Sequence, residues 1–464
     1  MGNGEEKIIG KIVLEGTLKL CSPMLIGDGM GDKNHDNDKD IHVLKNQDGY
    51  PFIPGTSLAG VLRAEMDAIR PVFTKAFFGQ MDYAQSAVSI DDIVFTKAQL
   101  TYRDGVRIDP DTGTAANTGK YDYEAVERGA EAPMHIEVTL RGYHTENPQE
   151  WQTAKLRPEV LDAAAFLRDA LQDGIHLGAL TAKGFGLAKV QGIAMGLYDF
   201  AKAQDVKSWL TQEVPSAAKA GAKLTKPGSW GRLAEDTFDV KADFALRSSL
   251  LVRSYGTDAK GKSIAVMLKS GKDAVIPGTS LKGVLRHQAA AMTEELGIAP
   301  EFLDELMGTA ERKDTSGDTE TEGRVKSRFL VDETYITLDK HVIEKEHTRN
   351  RIDRFTGGTV DSALFTTKPI WQKDKDAATV HLHFQVQKAD EKEAGLALFL
   401  LKDLSQGRIA IGGETGSGRG TLRGLGAVIQ YAGQTFRLDA DGKVTEGSVD
   451  DLNRYAHALS GKEA

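Results

Sequence analysis

Ile53–Arg63 reads IPGTSLAGVLR, and Ile276–Arg286 reads IPGTSLKGVLR. Ten of the eleven positions are identical across a separation of 223 residues, which makes the chain two copies of one module and settles the repeat before any local motif is read. In each copy Pro-Gly stops the chain and a helix begins, with Thr56 or Ser57 as its cap in the first and Thr279 and Ser280 in the same places in the second. Leu58, Val61, Leu62, Met66 and Ile69 then recur at helical spacing, as do Leu281, Val284, Leu285 and Met292.

Outward from that phrase the copies agree at further points, always in the same order. Phe78-Gly79 answers Met307-Gly308, and Ser86 with Asp91 answers Ser327 with Asp332. Arg107-Ile-Asp followed by Thr112-Gly113 answers Arg351-Ile-Asp followed by Thr356-Gly357, and Thr181-Ala-Lys-Gly-Phe-Gly answers Thr415-Gly-Ser-Gly-Arg-Gly. A polar insertion at about 309–326 lengthens the second copy and reads as a loop. The stretch 8–27 alternates through Ile12, Leu14, Leu18 and Leu20 as an opening strand, answered by 238–254. Strands mix with a few helices and no regular βαβ rhythm emerges, so each module is expected to be α+β with a largely antiparallel sheet. The boundaries expected are a first module at 1–200, a helix and linker at 201–236, a second module at 237–433 and a C-terminal tail at 434–464.

Bulk properties agree with two globular modules. The chain has 464 residues, of which 40% are apolar and 27% charged. No apolar run is long enough to span a membrane and the first residues lack the layout of a signal peptide, so a cytoplasmic protein without a membrane partner is expected. The single Cys21 cannot form an internal disulfide. A net charge of −9 argues against a nonspecific polyanion binder, leaving any nucleic-acid surface to local clusters of cations.

The two IPGTSL phrases, the Phe-Gly or Met-Gly followed by a strand ending in Asp, the arginine-rich HTRNRIDRFTGG and the closing glycine loops together resemble the RAMP superfamily of CRISPR-associated proteins. The tandem arrangement is similar to the double backbone subunit of a type III-D effector complex in prokaryotes. The resemblance implies two tandem modified ferredoxin-like (RRM-like) domains with thumb hairpins and glycine-rich loops. It also implies a bound CRISPR RNA, a complementary target RNA laid along it, and other effector subunits as partners. The residue chemistry is compatible. A helix start after Pro-Gly offers free N–H groups to a phosphate, with Arg63 or Lys282 and Arg286 nearby. Lys183, Gly184 and Gly186, and Gly418, Arg419 and Gly420, let backbone and cations approach an RNA strand. Arg107 in the first copy, and Arg349, Arg351, Arg354 and Phe355 in the second, supply the cation and aromatic mix that single strands use. The plainer reading of one copy alone is a turn with solvated arginines.

The family pattern places a target-cutting Asp in the loop upstream of the phrase. Aligned without gaps from Pro54 and Pro277, KDIHVLKNQDGYPFIPG lies over KSIAVMLKSGKDAVIPG, and Asp40 falls opposite Ser263. Asp40 is therefore the candidate catalytic group, able to hold a divalent metal, Mg2+ by expectation, or to position an attacking 2′-hydroxyl. Asp38 is the fallback if the register slips, and His42 is a candidate helper. The expected activity is RNA-guided endoribonuclease cleavage in the first copy, with the second copy binding only. The alternatives are a purely structural RNA-binding backbone subunit, or a stand-alone processing endonuclease. Two motifs are set aside: Asp36-x-Asp38-x-Asp40 lacks the glycine and glutamate of a calcium loop, and Gly256–Ser263 fits the P-loop letters but leads into a strand-prone run where a helix is required.

Overall fold

The computed structural model describes residues 8–28, 41–79, 85–108, 115–141, 158–226, 228–231, 235–257, 261–309 and 325–461. The chain divides into two compact units. The first comprises Met1–Thr181 and Phe185–Ala234; the second comprises Ala182–Gly184 and Glu235–Ala464.

In the first unit the strand Ile8–Leu20 is central to an antiparallel sheet. Leu187–Asp199 lies on one side of it and Glu131–Arg141 on the other, with Val88–Ile90 at the edge beyond. With helices Gly55–Asp67 and Pro158–Asp173 inserted after the first and third of these strands, the order is fourth, first, third, second, the ferredoxin-like arrangement. The second unit repeats it. Leu422–Tyr431, Phe238–Leu246, Val380–Val386 and Phe329–Val331 lie in that order, with helices Gly278–Glu295 and Glu391–Ser405. The predicted helical stripe explains the packing: Leu58, Leu62 and Met66 are fully buried, as are Leu281 and Leu285, each set closing one face of its sheet.

A long hairpin rises between the second and third core strands of each unit. It is built by Leu100–Ile108 with Ala115–Val126 in the first and by His347–Ile352 with Thr359–Lys368 in the second. These hairpins stand where the thumbs are expected and are called the first and second thumb.

Two segments outside the expected modules have structure of their own. Within the expected helix and linker lies the helix Ala203–Leu210, and other described residues of that stretch pack on the first unit. Ala217 and Trp209 pack with Val13 and Tyr198 on the sheet face opposite the helices, and Tyr198 donates its hydroxyl proton to the Ser216 carbonyl at 2.6 Å. Ala222–Lys223 adds a short edge strand, and Trp230 stacks edge-on to Phe73 with ring centroids 5.4 Å apart. The cause is apolar content: Tyr198, Trp209 and Trp230 need burial, and the sheet face and helices supply it. Residues 434–461, within the expected C-terminal tail, also carry structure of their own. Gln434–Leu438 and Val444–Glu446 extend the sheet, and helix Val449–Ser460 buries Leu452, Tyr455 and Leu459 against Glu391–Ser405. A three-to-four spacing of apolar residues in a short segment is the signature that assigns it to the core.

Candidate nucleic-acid interface

The repeated phrase is a packing joint before it is anything else. The first helix begins at Gly55 with Pro54 as its N-cap, and neither Thr56 nor Ser57 caps it; the second begins after Pro277, again without a side-chain cap from Thr279 or Ser280. The partner is distant in sequence: Asp92 Oδ1 accepts the Gly55 N–H at 2.8 Å. A carboxylate at the positive end of that helix takes the place a phosphate was expected to fill. Glycine is required at 55 because a Cβ there would stand 2.1 Å from the Ile90 carbonyl oxygen.

The cations that follow the phrase divide sharply. Arg63 is exposed. Lys282 is buried, donating to Ser327 Oγ at 2.6 Å and the Phe329 carbonyl at 2.9 Å, and burial, followed by neighbouring cations, lowers its pKa to about 7. Arg286 donates to the Gly308 carbonyl and to Asp304 Oδ1, both at 2.6 Å, tying two helices together. Lys282 thus fastens the interior, and the partly exposed Arg286 fastens its helix to Glu301–Met307.

The glycine loops carry two kinds of glycine. Gly186 and Gly420 have φ of +76° and +82°, and a Cβ would lie 1.8 Å from the Leu177 carbonyl oxygen and 2.0 Å from that of Ile411. Their N–H groups donate to Pro23 and Ser249 carbonyls at 2.7 Å, so both anchor the loop to its own unit. Gly184 has φ +85°, Gly418 φ +83°, and Gly418 faces open space. Lys183 is half-buried. Arg419 is 3% exposed: its Nε meets Glu414 at 2.8 Å, its Nη2 lies 2.9 Å from His347 Nδ1, and its guanidinium rests over Trp371. It does not face solvent as expected, and the equivalent position of the first copy is the buried Phe185.

The second thumb is the most open feature. Arg351 and Arg354 are exposed and Phe355 is fully exposed at the tip. Asp353 shapes that tip, accepting the Phe355 and Thr356 N–H groups at 2.9 and 2.8 Å, and these bonds hold its carboxyl below the usual carboxylate range. Arg349 is half-buried, stacked 5.0 Å over Phe365 and paired with Glu414. In the first thumb Arg107 lies on the strand Leu100–Ile108, and its side chain falls outside the described residues. Tyr102, Val106 and Ile108 are exposed there.

Asp36, Asp38 and Asp40 lie outside the described residues. The chain immediately after them is bound to the first thumb: Ile41 bridges Tyr123 in parallel, and the buried Glu124 accepts the Val43 N–H at 3.1 Å. Glu124 also accepts the Tyr102 hydroxyl at 3.3 Å and stands 3.5 Å from Lys45. His42, the candidate helper, is exposed and 3.9 Å from Glu124. In the second unit Ser263 opens the strand Ser263–Met267, which pairs with Arg253–Thr257 and, in parallel, with the second thumb. A strand where a P-loop needs a helix rules out that reading.

His383 and Asp239, not singled out in the sequence, meet Asp332 of the repeated strand motif. His383 lies between Asp332 Oδ2, 2.6 Å from its Nδ1, and Asp239 Oδ1, 2.7 Å from its Nε2. Burial opposes the charged ring, but the two aspartates outweigh it and push its pKa up to about 9. The Asp of the repeated strand motif thus serves a charge sandwich. His135, the matching residue beside Asp91, is also raised, first by its hydrogen bond to Glu137.

A model of the RAMP superfamily matches residues 17–189 and again residues 244–423. The chain belongs to the RAMP superfamily. Each match takes in the second and third core strands in sequence order, both helices, the hairpin and the glycine loop of one module, so this is a tandem RAMP protein. RAMP proteins bind CRISPR RNA and the other subunits of their complexes, and some members cleave RNA. No curated protein matches the chain. Among the described residues no helix is long and apolar enough to cross a membrane.

Proposed function

We propose that this tandem RAMP protein is a backbone subunit of a type III CRISPR ribonucleoprotein, most like the double subunit of type III-D complexes, in a prokaryotic cytoplasm. Its two modules lie along one CRISPR RNA with complementary target RNA paired to it. The first module cuts the target through Asp40 and the second binds without cutting. The observation that carries the reading is the duplicated RAMP match combined with the asymmetry of Asp40 against Ser263. The exposed Arg351, Arg354 and Phe355 support the binding role, because cations flanking an aromatic grip phosphates and wedge against bases.

In the cut, the target 2′-oxygen bonds to the adjacent phosphorus as the P–O5′ bond breaks, giving a 2′,3′-cyclic phosphate; the Asp40 carboxylate takes the 2′ proton, and the departing 5′-oxygen takes a proton from water. A divalent cation such as Mg2+, with Asp40 as its candidate ligand, belongs to this proposal and carries no step here. The test is the assembled complex with Asp40→Ala, given complementary RNA. Lost cutting with unchanged target binding is the expected result; cutting that continues at the same sites removes Asp40 from the chemistry.

A further inference from the structure

In the second unit three guanidinium groups converge on one carboxylate. Glu414, whose side chain is 10% exposed, meets Arg419 Nε at 2.8 Å, Arg253 Nη2 at 3.7 Å, and Arg349. Three cations about one anion leave two formal positive charges in excess at one spot of an acidic protein. Donors around it are also unused: among the described residues Arg349 Nε, Trp371 Nε1 and Thr367 Oγ1 are buried without hydrogen-bond partners. A structural ion pair needs neither the surplus charge nor the idle donors.

The surroundings suit a nucleotide. Pairing of Arg253–Thr257 with Ser263–Met267, and of that strand with the second thumb, puts Arg253, Tyr255, Arg349 and Phe365 on one face of a four-stranded sheet. Tyr255 is 79% exposed and Phe365 46% exposed, two rings beside the guanidinium cluster. Beyond Glu414 the loop opens at Gly418, which faces empty space.

Glu414 itself is not there for the backbone. Its φ is +60°, and the matching residue of the first glycine loop, Leu180, has φ +58°. Both loops therefore share one left-handed turn, in which an apolar residue serves equally well, and the carboxylate is particular to the second copy.

We propose that Glu414 is an internal stand-in for an RNA phosphate: it holds Arg253, Arg349 and Arg419 together in the free protein and is displaced when a single-stranded RNA phosphodiester enters, with Tyr255 and Phe365 stacking the neighbouring bases. This inference rests on the RNA-binding reading above and adds a competing anion to it. The carboxylate keeps the cluster silent toward stray anions and makes binding depend on the phosphate and bases arriving together.

The test is fluorescence anisotropy of a labelled single-stranded RNA with the full chain across a salt series. Glu414→Gln is expected to bind about tenfold tighter, with a log K against log salt slope steeper by about 0.7, the amount of one added phosphate contact on a single strand. Arg253→Ala, at a side chain that is 63% exposed, is expected to weaken binding and to flatten the slope by about the same amount. A glutamine variant that melts like the wild type yet binds equally or more weakly overturns the proposal. Where that variant does not fold, unchanged affinity in both Arg253→Ala and Tyr255→Ala overturns it instead. Wild-type protein that binds no RNA sinks the RNA-binding reading, whereas wild-type binding indifferent to these changes sinks this inference alone.

Discussion

Replacing His383 with glutamine removes a positive charge from between two carboxylates while keeping a polar side chain of similar reach. In the native protein the ring bonds Asp332 at 2.6 Å and Asp239 at 2.7 Å, and its pKa rises from 6.5 to about 9. A raised pKa in the folded state means that the stabilisation is fully present below pH 6.5 and is lost as the pH climbs through about 9. At about 1.36 kcal/mol per pKa unit, the contribution is about 3 kcal/mol. The glutamine variant should be weaker by at least that amount at about pH 6, because Asp239, whose side chain is 6% exposed, then faces Asp332 without a cation between them. Denaturant-dependent hydrogen exchange, followed by mass spectrometry on peptides spanning Phe238–Leu246, reads the opening free energy of this sheet alone. The advantage of the wild type over the variant should shrink by about 3 kcal/mol between about pH 6 and pH 10, because every other titrating group is common to both. An identical pH dependence in both proteins would refute the charge sandwich.

Three further outcomes follow from the packing. Gly60→Ala, at an open helix position, should stabilise the first unit by about 0.5–1 kcal/mol in thermal melts, whereas Gly55→Ala, five residues earlier, should cost about 1–3 kcal/mol by driving a Cβ into the Ile90 carbonyl. Lys282→Met should leave RNA affinity and its salt slope unchanged, because the amine is internal. Since its pKa is lowered to about 7, wild-type stability gains as pH rises from about 7 toward 10.5, and that gain should vanish in the variant. Tyr455→Ala should cost about 3–5 kcal/mol in chemical denaturation, since the ring is 1% exposed and packs on Tyr431 and Phe436; a negligible loss would return residues 449–461 to the status of a tail.

The module architecture was legible because it is written in periodicities and repeats. The opening strands alternate, the helix stripes keep their spacing, and two copies vouch for each other's register. What escaped depends on contacts between residues far apart in sequence. The N–H of Gly55 finds Asp92, not the adjacent hydroxyls, and no local pattern announces that choice. Lys282, Arg286 and Arg419 read as surface cations because charge is usually solvated, yet each lies against carbonyls or carboxylates of the fold. One signal was available: the first copy has Ala59 and Phe185 where the second has Lys282 and Arg419, and an apolar counterpart marks an inward-facing position. Glu124 and Glu414 escaped for a related reason, since a lone glutamate gains meaning only from the thumb and loop residues gathered around it.

The segment that follows the first module's last long strand seals the sheet face opposite its helices. Gly196 shows how closely it sits, since a Cβ there would stand 2.5 Å from the Ala217 carbonyl oxygen, while Trp209 covers Lys11 and Ser216 bonds Glu15. Proteins of RRM type read sequence by stacking bases on aromatic residues of that face. Here that face is covered by the protein's own chain, which under the proposed function leaves the first unit its hairpin and loops for gripping a strand. Such a grip follows a sugar-phosphate track and is blind to base identity. Under the proposed role, a subunit that accepts any guide needs that indifference, and burial of this face would supply it.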